Sequence, residues 1–449
     1  MEAINKNLSG TLVPIFIVVF ALLFILLLKG LPFINPKRMK ELLFSKGSRG
    51  EGSPIRAVIF ALAGTLGVGN IVGVASAIAM GGAGAVFWMW ISAILAMILK
   101  YCEVVLAVLH RRKREGGYYG GAMYYMKDHY DSCHQFTSAS IFSLVFVALC
   151  LINGATMGCI IQSNSIASSF NTAFGVDEHL TGLAVGLLSA AVFFFKGKCL
   201  FELCEKLVPF VSVLYVGMCA VIILSSPQDL VTSFKSIMDD AFSFESAGAG
   251  AFGFLVSRAL RFGTIRGLFS NEAGCGTSPI AHATSNTDSP CRQGILGMVE
   301  VFVDTIVLCS MTAFVILKNE DIISKYRAQP MLVVAKSFES ELGYGATVIL
   351  GICIFLFAFA TIICWGFYGK ECLYFVSRSK ALRRAFYFLY VILAFVGAFI
   401  SIERVWEIAD FVVGVMVLMN LYILWKMRRE IRNATYLEFN KKSSRKGSS

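Results

Sequence analysis

Long apolar runs recur along the whole chain, and no other feature restricts its fold as strongly. Runs of about 17 to 25 residues are long enough to cross a hydrocarbon core of about 30 Å. Eleven runs of this length or longer lie near residues 13–34, 56–79, 83–109, 138–168, 178–196, 204–226, 250–283, 293–317, 344–376, 383–402 and 405–426. Hydrophobic residues make up 57% of the 449 positions and charged residues 15%, which excludes a water-soluble globular domain. The sequence therefore predicts an all-α integral membrane protein with about eleven transmembrane helices.

The charged residues between the runs predict the topology. Basic residues concentrate in the 29–56 segment, in "HRRKRE" at 110–115 and in "KMRREIR" at 426–432, whereas acidic pairs occur at 177–178 and 239–240. Because cytoplasmic loops carry the excess of lysine and arginine, we expect a multi-pass plasma-membrane protein with its N-terminus outside and its C-terminus in the cytoplasm. The net charge of +11 then reflects topology, so the bilayer is an expected partner and nucleic acid is not. No obligate protein partner is evident.

The histidines and cysteines give no sign of a catalytic or metal centre. The five histidines show no ligand spacing, and the thirteen cysteines lie mostly inside apolar runs, where cysteine behaves as a small hydrophobe. His282, in the seventh run, is interpreted as a hydrogen-bonded helix residue at the cytoplasmic end. We therefore expect neither an enzyme nor a cofactor.

The centre of the second run is unusual for a helix in lipid. Residues 64–70 read Gly-Thr-Leu-Gly-Val-Gly-Asn, with three glycines and two polar side chains. Backbone groups freed inside a bilayer are tolerated where they line a buried site, but small residues also let helices pack closely. This segment alone leaves both interpretations open.

A second segment of the same kind lies in the seventh run, at residues 262–283. Glycines again surround polar residues, here Ser270, Asn271 and Glu272, and Pro279 restarts a helix. Interrupted helices in corresponding positions of two halves are typical of inverted-repeat secondary transporters. The chain then divides into an accessory helix with a basic inner loop (1–53), a five-helix repeat (54–226), an outer connecting segment (227–249), a second five-helix repeat (250–426) and a basic cytoplasmic tail (427–449).

Four stretches of the sequence resemble one known family. They are "GTLGVGNIVGVASAIAMGGAGAVFWMW" from Gly64, "GGAMYYM" from Gly120, "RGLFSNEAGCGTSPIAHA" from Arg266 with the following "TDSPCRQGILGMVEVFVDT", and "FAFATIICWGFYG" from Phe357. They are similar to the alanine or glycine:cation (sodium:alanine) symporters of prokaryotes, from about residue 54 to about residue 426. The resemblance implies the leucine-transporter-type fold with five-plus-five inverted repeats, coupling to sodium or sometimes to protons, and small neutral amino acids as substrates.

A zwitterionic amino acid needs partners for one carboxylate and one ammonium group. The amides of residues 67–70 would begin a new helix after the first break, and helix N-termini stabilise anions. At the second break we expect freed carbonyls around Gly267, Leu268 and Phe269 to accept the ammonium group. The two breaks together therefore predict a central substrate site.

Side chains at membrane depth would set the size of this site. Gln162 and Asn164 are amides in the fourth run, and Trp365 with Phe269 would close the apolar end. The resemblance favours Gln162, Phe269 and Trp365 as pocket residues, while an interhelical hydrogen bond and core packing remain open for Gln162 and Trp365. The predicted substrate-binding residues are Thr65, Gly67, Gly69, Asn70, Gln162, Phe269, Ser270, Asn271 and Trp365.

The resemblance also implies a sodium site between the second and ninth runs. Its ligands would be the carbonyls of Ala63 and Leu66 and the hydroxyl of Thr361. This chain has Ala360 where the family usually has serine, and Cys364 where it has glycine. Because a hard cation is held by the oxygens around it, we expect sodium coupling with a weak apparent affinity.

The charged residues of the seventh and eighth runs are interpreted mainly as structural pairs. Glu300 and Asp304 are four residues apart and so share one helix face, and we expect Arg266 and its neighbours to pair with Glu272, Glu300 and Asp304. Near the inner end of the third run, Lys100 and Glu103 would pair or reach the interface.

Taken as a whole, the sequence predicts a sodium-coupled importer of alanine, glycine or both that works by alternating access. Proton-coupled or exchange-type transport remains an alternative, with Glu272 or Glu300 as the proton carrier. A passive channel, the alternative from another class, fits the closed central site less well.

Overall fold

The computed structural model describes Asn5 and residues 7–44, 52–134, 136–195, 200–242 and 258–440, and the protein is mostly helical, at 85%. Lys46 and Arg49 of the predicted inner loop, the end of the connecting segment, the start of the seventh run and the end of the tail lie outside the described residues. The N-terminal part consists of a π-helical turn at Leu8–Leu12, α1 (Val13–Leu27), α2 (Leu31–Ile34) and α3 (Pro36–Leu43). The helix α1 ends before the predicted residue 34 because Lys29 and Gly30 adopt φ angles of 52° and 63°.

The next part of the chain is a series of helices with one small antiparallel hairpin. The helices are α4 (Pro54–Thr65), α5 (Val72–Gly81), α6 (Gly84–Leu109), α7 (Ala122–Ser132), α8 (Phe136–Ala155), α9 (Ile161–Phe174), α10 (Glu178–Ala190), α11 (Leu200–Ser225) and α12 (Pro227–Ala241). The strands β1 (Arg112–Arg114) and β2 (Gly117–Tyr119) form the hairpin. A 3-10 turn at Val68–Asn70 follows α4, and π-helical turns at Thr156–Ile160 and Ala191–Phe195 follow α8 and α10. The helix α12 occupies much of the predicted connecting segment.

The last part of the chain contains the second broken span. Its helices are α13 (Arg258–Asn271), α14 (Pro279–His282), α15 (Pro290–Val301), α16 (Ser310–Leu317), α17 (Glu320–Lys325), α18 (Pro330–Leu342), α19 (Tyr344–Val376), α20 (Lys380–Gly397), α21 (Glu403–Lys426) and α22 (Arg428–Phe439). A π-helical segment at Phe302–Cys309 joins α15 to α16.

Each of the eleven predicted runs contains a helix in the described part of the chain. Among the described residues, seven helices are long and apolar enough to cross a membrane, and the bent pair α4 and α5 makes eight if it counts as one span. The described helices of the fifth and seventh runs are shorter, and α20 carries three basic residues in its first turns. The structure thus confirms the helical class, and the number eleven stays a prediction.

Two contacts dock the C-terminal helix α22 against the rest of the molecule. The hydroxyls of Tyr101 in α6 and Thr435 in α22 lie 3.0 Å apart, and His110, at the end of α6, contacts Asp128 at 2.8 Å and Glu430 at 3.0 Å. Burial lowers the pKa of His110, but the hydrogen bonds to both carboxylates outweigh it and raise the pKa to about 9. The first part of the predicted tail is therefore an ordered helix.

Candidate functional site

The break between α4 and α5 releases two backbone carbonyls. The chain leaves the helical region at Leu66 (ψ 69°) and Gly67 (φ −113°, ψ −150°), and the helix axis bends by 63° between the two arms. The N–H of Gly67 donates to the carbonyl of Thr65 at 2.8 Å, and the N–H of Val68 donates to a side chain at 3.2 Å. In an α-helix these two groups would donate to Ala63 and Gly64, so both carbonyls are free for other partners.

Two side chains of α19 bind these released carbonyls. The hydroxyl of Thr361 donates to the carbonyl of Ala63 at 3.0 Å, and the indole N–H of Trp365 donates to the carbonyl of Gly64 at 3.3 Å. Thr361 and Trp365 are four residues apart and therefore lie on one face of α19. That face closes the break from the side.

Two of the three predicted sodium ligands therefore lie together. The Thr361 hydroxyl and the Ala63 carbonyl are hard oxygen donors, as a small cation requires. Leu66, the third predicted ligand, has a ψ of 69°, so its carbonyl leaves the direction of α4. Ala360 is buried next to Thr361 and has no side-chain oxygen, and the thiol of Cys364 donates to a carbonyl of α4 at 3.2 Å.

Gln162 holds the broken segment from the opposite side. Its side-chain oxygen Oε1 accepts the N–H of Val68 at 3.2 Å, and its Nε2 donates to the carbonyl of Met157 at 3.1 Å. A Cβ atom on Gly67 would lie 2.8 Å from both Oε1 of Gln162 and Oγ1 of Thr361. Only glycine fits between these two oxygens.

The other side chains of the fourth and ninth spans have packing roles. Trp365 is fully buried and covers Gly154 and Gly158, where a Cβ would collide with its ring. Asn164 donates to the carbonyls of Ala398 at 3.3 Å and Ile400 at 3.2 Å. The structure thus ties Asn164 to the end of α20, away from the break.

The second break lies a few residues beyond its predicted position. Gly267, Leu268 and Phe269 belong to α13, and the carbonyl of Leu268 accepts the N–H of Glu272 at 2.9 Å. The prediction was therefore wrong for Gly267 and Leu268, whereas the N–H of Ala273 donates to Oδ1 of Asn271 at 3.0 Å and leaves the carbonyl of Phe269 without its helical partner. The helix ends where Glu272 and Gly274 adopt φ angles of 52° and 88°, a region that glycine enters at little cost.

The glycines inside α13 serve close packing instead. A Cβ on Gly263 would collide with the carbonyl of Ala85, and a Cβ on Gly267 would lie 2.7 Å from the hydroxyl of Ser92. Both neighbours belong to α6, so these glycines form a helix-packing seam. For this part of the segment the packing interpretation applies.

The two broken spans meet at a buried polar cluster. The side-chain N–H groups of Asn70 donate to Ser270 Oγ at 2.9 Å and to Asp304 Oδ1 at 2.9 Å, and Ser270 donates to Asp304 Oδ2 at 2.7 Å. Thr305 also donates to Asp304 Oδ2, at 2.8 Å, and Asn271 donates to Thr305 at 3.1 Å. Asp304 therefore belongs to the candidate site, a role that the sequence analysis missed. Its position four residues after Glu300 was the only available signal.

Arg266 does not pair with Glu300 or Asp304. Its guanidinium group lies over the ring of Trp406, 4.5 Å from the centroid, and over Phe269 at 5.7 Å. The expected ion pairs were wrong because Lys100 of α6 supplies the positive charge for Glu300, at 3.2 Å. Phe269 stacks on Trp406 with centroids 4.8 Å apart, so its ring lies against α21, apart from Trp365.

A narrow space lies beside the first break, and it is too small to hold a water molecule. It is lined by Leu66, Gly67, Asn70, Ile71, Tyr215, Leu308 and Phe357. Tyr215 lies 2.7 Å from the hydroxyl of Thr312, which donates to the carbonyl of Asn70 at 2.8 Å. The space is thus bounded by the broken segment at Gly67 and Asn70 and by side chains such as Tyr215 and Phe357.

A larger cavity lies at the end of the molecule that carries the hairpin. It has a volume of about 740 Å³, and Arg56, Arg114 and Lys370 are among its lining residues. Between this cavity and the break, the ring of Phe60 stacks on Phe201 with centroids 3.9 Å apart. The aromatic rings therefore separate the cavity from the break.

Comparisons with known proteins, by sequence and by fold, both find similarity to sodium-coupled symporters. A model described as the sodium:alanine symporter family matches residues 1–448. The sodium/alanine symporter AgcS of Methanococcus maripaludis is 36% identical over 397 residues, which are 85% of this chain and 84% of the relative. The probable sodium/glutamine symporter GlnT of Bacillus subtilis is 32% identical over 439 residues, 96% of this chain and 88% of the relative.

Among solved structures, the fold is similar to that of a Na⁺-coupled sialic acid symporter in a substrate-bound outward-open state. The TM-score is 0.52 at 12% sequence identity, and the match covers 95% of this chain and 87% of the other. The chain therefore has the predicted leucine-transporter-type helical membrane fold.

Proposed function

Because the chain belongs to the sodium:alanine symporter family, and so to a family of transporters and not of enzymes, we propose that it imports a small neutral amino acid together with sodium. Alanine and glycine are the proposed substrates, and alternating access is the proposed mechanism. The observation that carries the proposal is the broken second span. There the side chains of Thr361 and Gln162 approach Gly67, and each forms a hydrogen bond with a backbone group that the break releases.

The amino acid would bind in the space beside the first break. Its carboxylate would contact backbone and side-chain donors around Gly67, Gly69 and Asn70, with Thr65 and Gln162 next to them. Glycine at this position lets a ligand approach the backbone closely. This space is too small to hold a water molecule in this structure, so binding would require the helices around it to move apart.

The ammonium group would face the polar cluster where the two breaks meet. Ser270 and Asn271 come from the second break, and Asp304 supplies a buried carboxylate between them and Asn70. Asp304 accepts hydrogen bonds from Asn70, Ser270 and Thr305 and forms no ion pair with a described basic side chain, so its charge is available to complement an ammonium group. Trp365 closes the other side of the break, whereas the contacts of Phe269 favour packing against α21.

Sodium would bind between α4 and α19. The proposed ligands are the carbonyls of Ala63 and Leu66 and the hydroxyl of Thr361, with further carbonyls completing the shell. All of these donors are neutral oxygens, which suits a hard monovalent cation. Ala360 leaves this shell one oxygen short, so we expect a weak apparent sodium affinity.

The basic loops support a cytoplasmic location for the end that carries the hairpin, and an external N-terminus. The cavity of about 740 Å³ at this end would then be the release path. The stacked rings of Phe60 and Phe201 would close it while the outer path is open.

Uptake by the purified protein in proteoliposomes tests the proposal. Radiolabelled alanine should accumulate with an inward sodium gradient and not with a potassium gradient of equal size. A competition panel of glycine, serine and glutamine then defines the substrate. Flux that does not saturate, or uptake independent of sodium, would contradict sodium symport.

A further inference from the structure

Four charged side chains are buried together near the second break, and together they form the buried charge cluster. Lys100, Glu103, Glu272 and Glu300 each expose at most 1% of their surface. The cluster contains three carboxyl groups and a single amine. Charges buried in a membrane protein need partners of opposite charge or a bound proton. The partners therefore have to be assigned one by one.

Glu300 is fully paired. Its Oε1 lies 3.2 Å from the amine of Lys100, and its Oε2 lies 2.7 Å from Nε2 of His282. The amide Nε2 of Gln293 donates to Nδ1 of His282 at 2.9 Å and to the carbonyl of Pro54 at 3.3 Å. The imidazole of His282 therefore bridges Glu300 and Gln293. The charges of Lys100 and Glu300 thus balance each other.

Glu103 has two N–H donors on one carboxyl oxygen, while its other oxygen, Oε2, is buried without a hydrogen-bond partner. Its Oε1 accepts the backbone N–H of Gly276 at 2.9 Å and a hydrogen bond from the side-chain amide of Asn420. Glu103 also lies three residues from Lys100, on the same face of α6. Backbone and amide N–H groups are effective partners for an ionised carboxylate.

Glu272 has neither kind of support. Its Oε2 accepts a single hydroxyl hydrogen bond, from Thr277 at 2.6 Å, and its Oε1 is buried without a hydrogen-bond partner. Among the described residues, no basic side chain forms an ion pair with it. The titratable groups within electrostatic reach are Lys100, Glu300, Asp304, Cys275, Cys364 and Tyr368, and the one cation among them is already paired.

We propose that Glu272 is a proton-binding site whose occupancy changes during the transport cycle. A proton bonded to Oε1 neutralises the carboxyl group in the buried position, and it leaves to water when movement of the seventh span exposes the group. This inference rests on the proposed transport function and deepens it. The sequence analysis left Glu272 and Glu300 open as proton carriers. Because Glu300 is paired, Glu272 is the one that remains.

The backbone at Glu272 supports a moving role. The residue has a φ of 52°, and Gly274 and Gly276 follow with φ angles of 88° and 78°. A non-glycine residue in this region is strained unless its surroundings hold it. The carboxyl group therefore lies at the point where α13 and the following segment can change their relative orientation.

The test follows protons and alanine in the same proteoliposomes. Vesicles that hold wild-type protein and a pH-sensitive dye receive alanine under a fixed sodium gradient. We expect alanine to change the internal pH, and Glu272→Gln to abolish this signal while sodium-driven alanine binding or exchange persists. Glu103→Gln is the matched control, because it removes a buried carboxyl of the same cluster and should keep the proton signal.

Two outcomes would overturn the inference: wild-type protein that takes up alanine without moving protons, and a Glu272→Gln variant that moves them as the wild type does. If Glu272→Gln does not fold, Glu272→Asp is the variant to test, because it keeps a titratable group. An unchanged pH profile of alanine uptake in Glu272→Asp would contradict the proposal, and a shifted profile would support it. Absence of any sodium-dependent uptake by the wild type would instead contradict the proposed function.

Discussion

The two broken spans interrupt a membrane helix in different ways. At the first break, the released carbonyls of Ala63 and Gly64 are bound by neutral side chains of α19. At the second break, the chain turns through left-handed backbone positions at Glu272 and Gly274, and charged side chains of α6 and α15 surround it. The first break offers oxygen atoms to a ligand, whereas the second places a carboxyl group in the protein interior.

This difference shows that glycine has two functions in such segments. Gly67 leaves room between two side-chain oxygens, whereas Gly263 and Gly267 let α13 pack closely against α6. Only the backbone conformation and the neighbours distinguish these uses. The substitutions below therefore test whether each break works as its contacts indicate.

The largest effect is expected for Gly67→Ala. The added Cβ would lie 2.8 Å from oxygens of Gln162 and Thr361, and overpacking of about 1 to 3 kcal/mol at the site should lower uptake by roughly 100-fold. Gly73→Ala is the control, because no atom would lie within 4 Å of its Cβ and it has no place in the proposed site. Initial rates of alanine uptake at equal protein density measure both. Equal loss in the two variants would show that the first break does not depend on Gly67.

The sequence predicted the first break well because the whole stretch from residue 64 to residue 70 is unusual for a membrane helix. It predicted the second break within a few residues of its observed position. The difference arises because glycine occurs both in turns and in helix-packing seams, so its presence in the sequence does not distinguish the two. Asp304 and Lys100 could not be placed, because their partners come from helices far apart in the chain. Pairing of this kind depends on how helices pack, which one sequence does not show.

The next largest effect is expected for Thr361→Ala, which removes a proposed sodium ligand of the first break. Loss of one oxygen should raise the sodium concentration for half-maximal uptake by roughly tenfold, or about 1.4 kcal/mol. Thr361→Ser keeps the hydroxyl and should stay close to the wild type. Uptake measured over a series of sodium concentrations distinguishes them. A half-maximal sodium concentration that Thr361→Ala leaves unchanged would place the cation elsewhere.

At the second break, Gly274→Ala tests the left-handed turn. Gly274 has a φ of 88°, and its nearest neighbour would lie 3.8 Å from a Cβ, so the cost is conformational and should be about 1 to 2 kcal/mol. Gly217→Ala is the control, because Gly217 is exposed on α11 with no atom within 4 Å of a Cβ. Thermal unfolding of the two proteins in detergent measures the difference. A Gly274→Ala protein as stable as the wild type would contradict the strained turn.

The smallest effect is expected for Ala360→Ser, which asks whether the oxygen shell at the first break is incomplete. Ala360 is fully buried beside Thr361, so a serine hydroxyl there could reach the cation but also has to fit a packed site. A gained oxygen offset by overpacking of up to about 1 kcal/mol should lower the sodium concentration for half-maximal uptake by roughly two- to fivefold. The double variant with Thr361→Ala separates the two positions. If both residues bind the same ion, serine at 360 should partly reverse the rise in half-maximal sodium concentration that Thr361→Ala causes. No reversal would mean that position 360 does not face the cation.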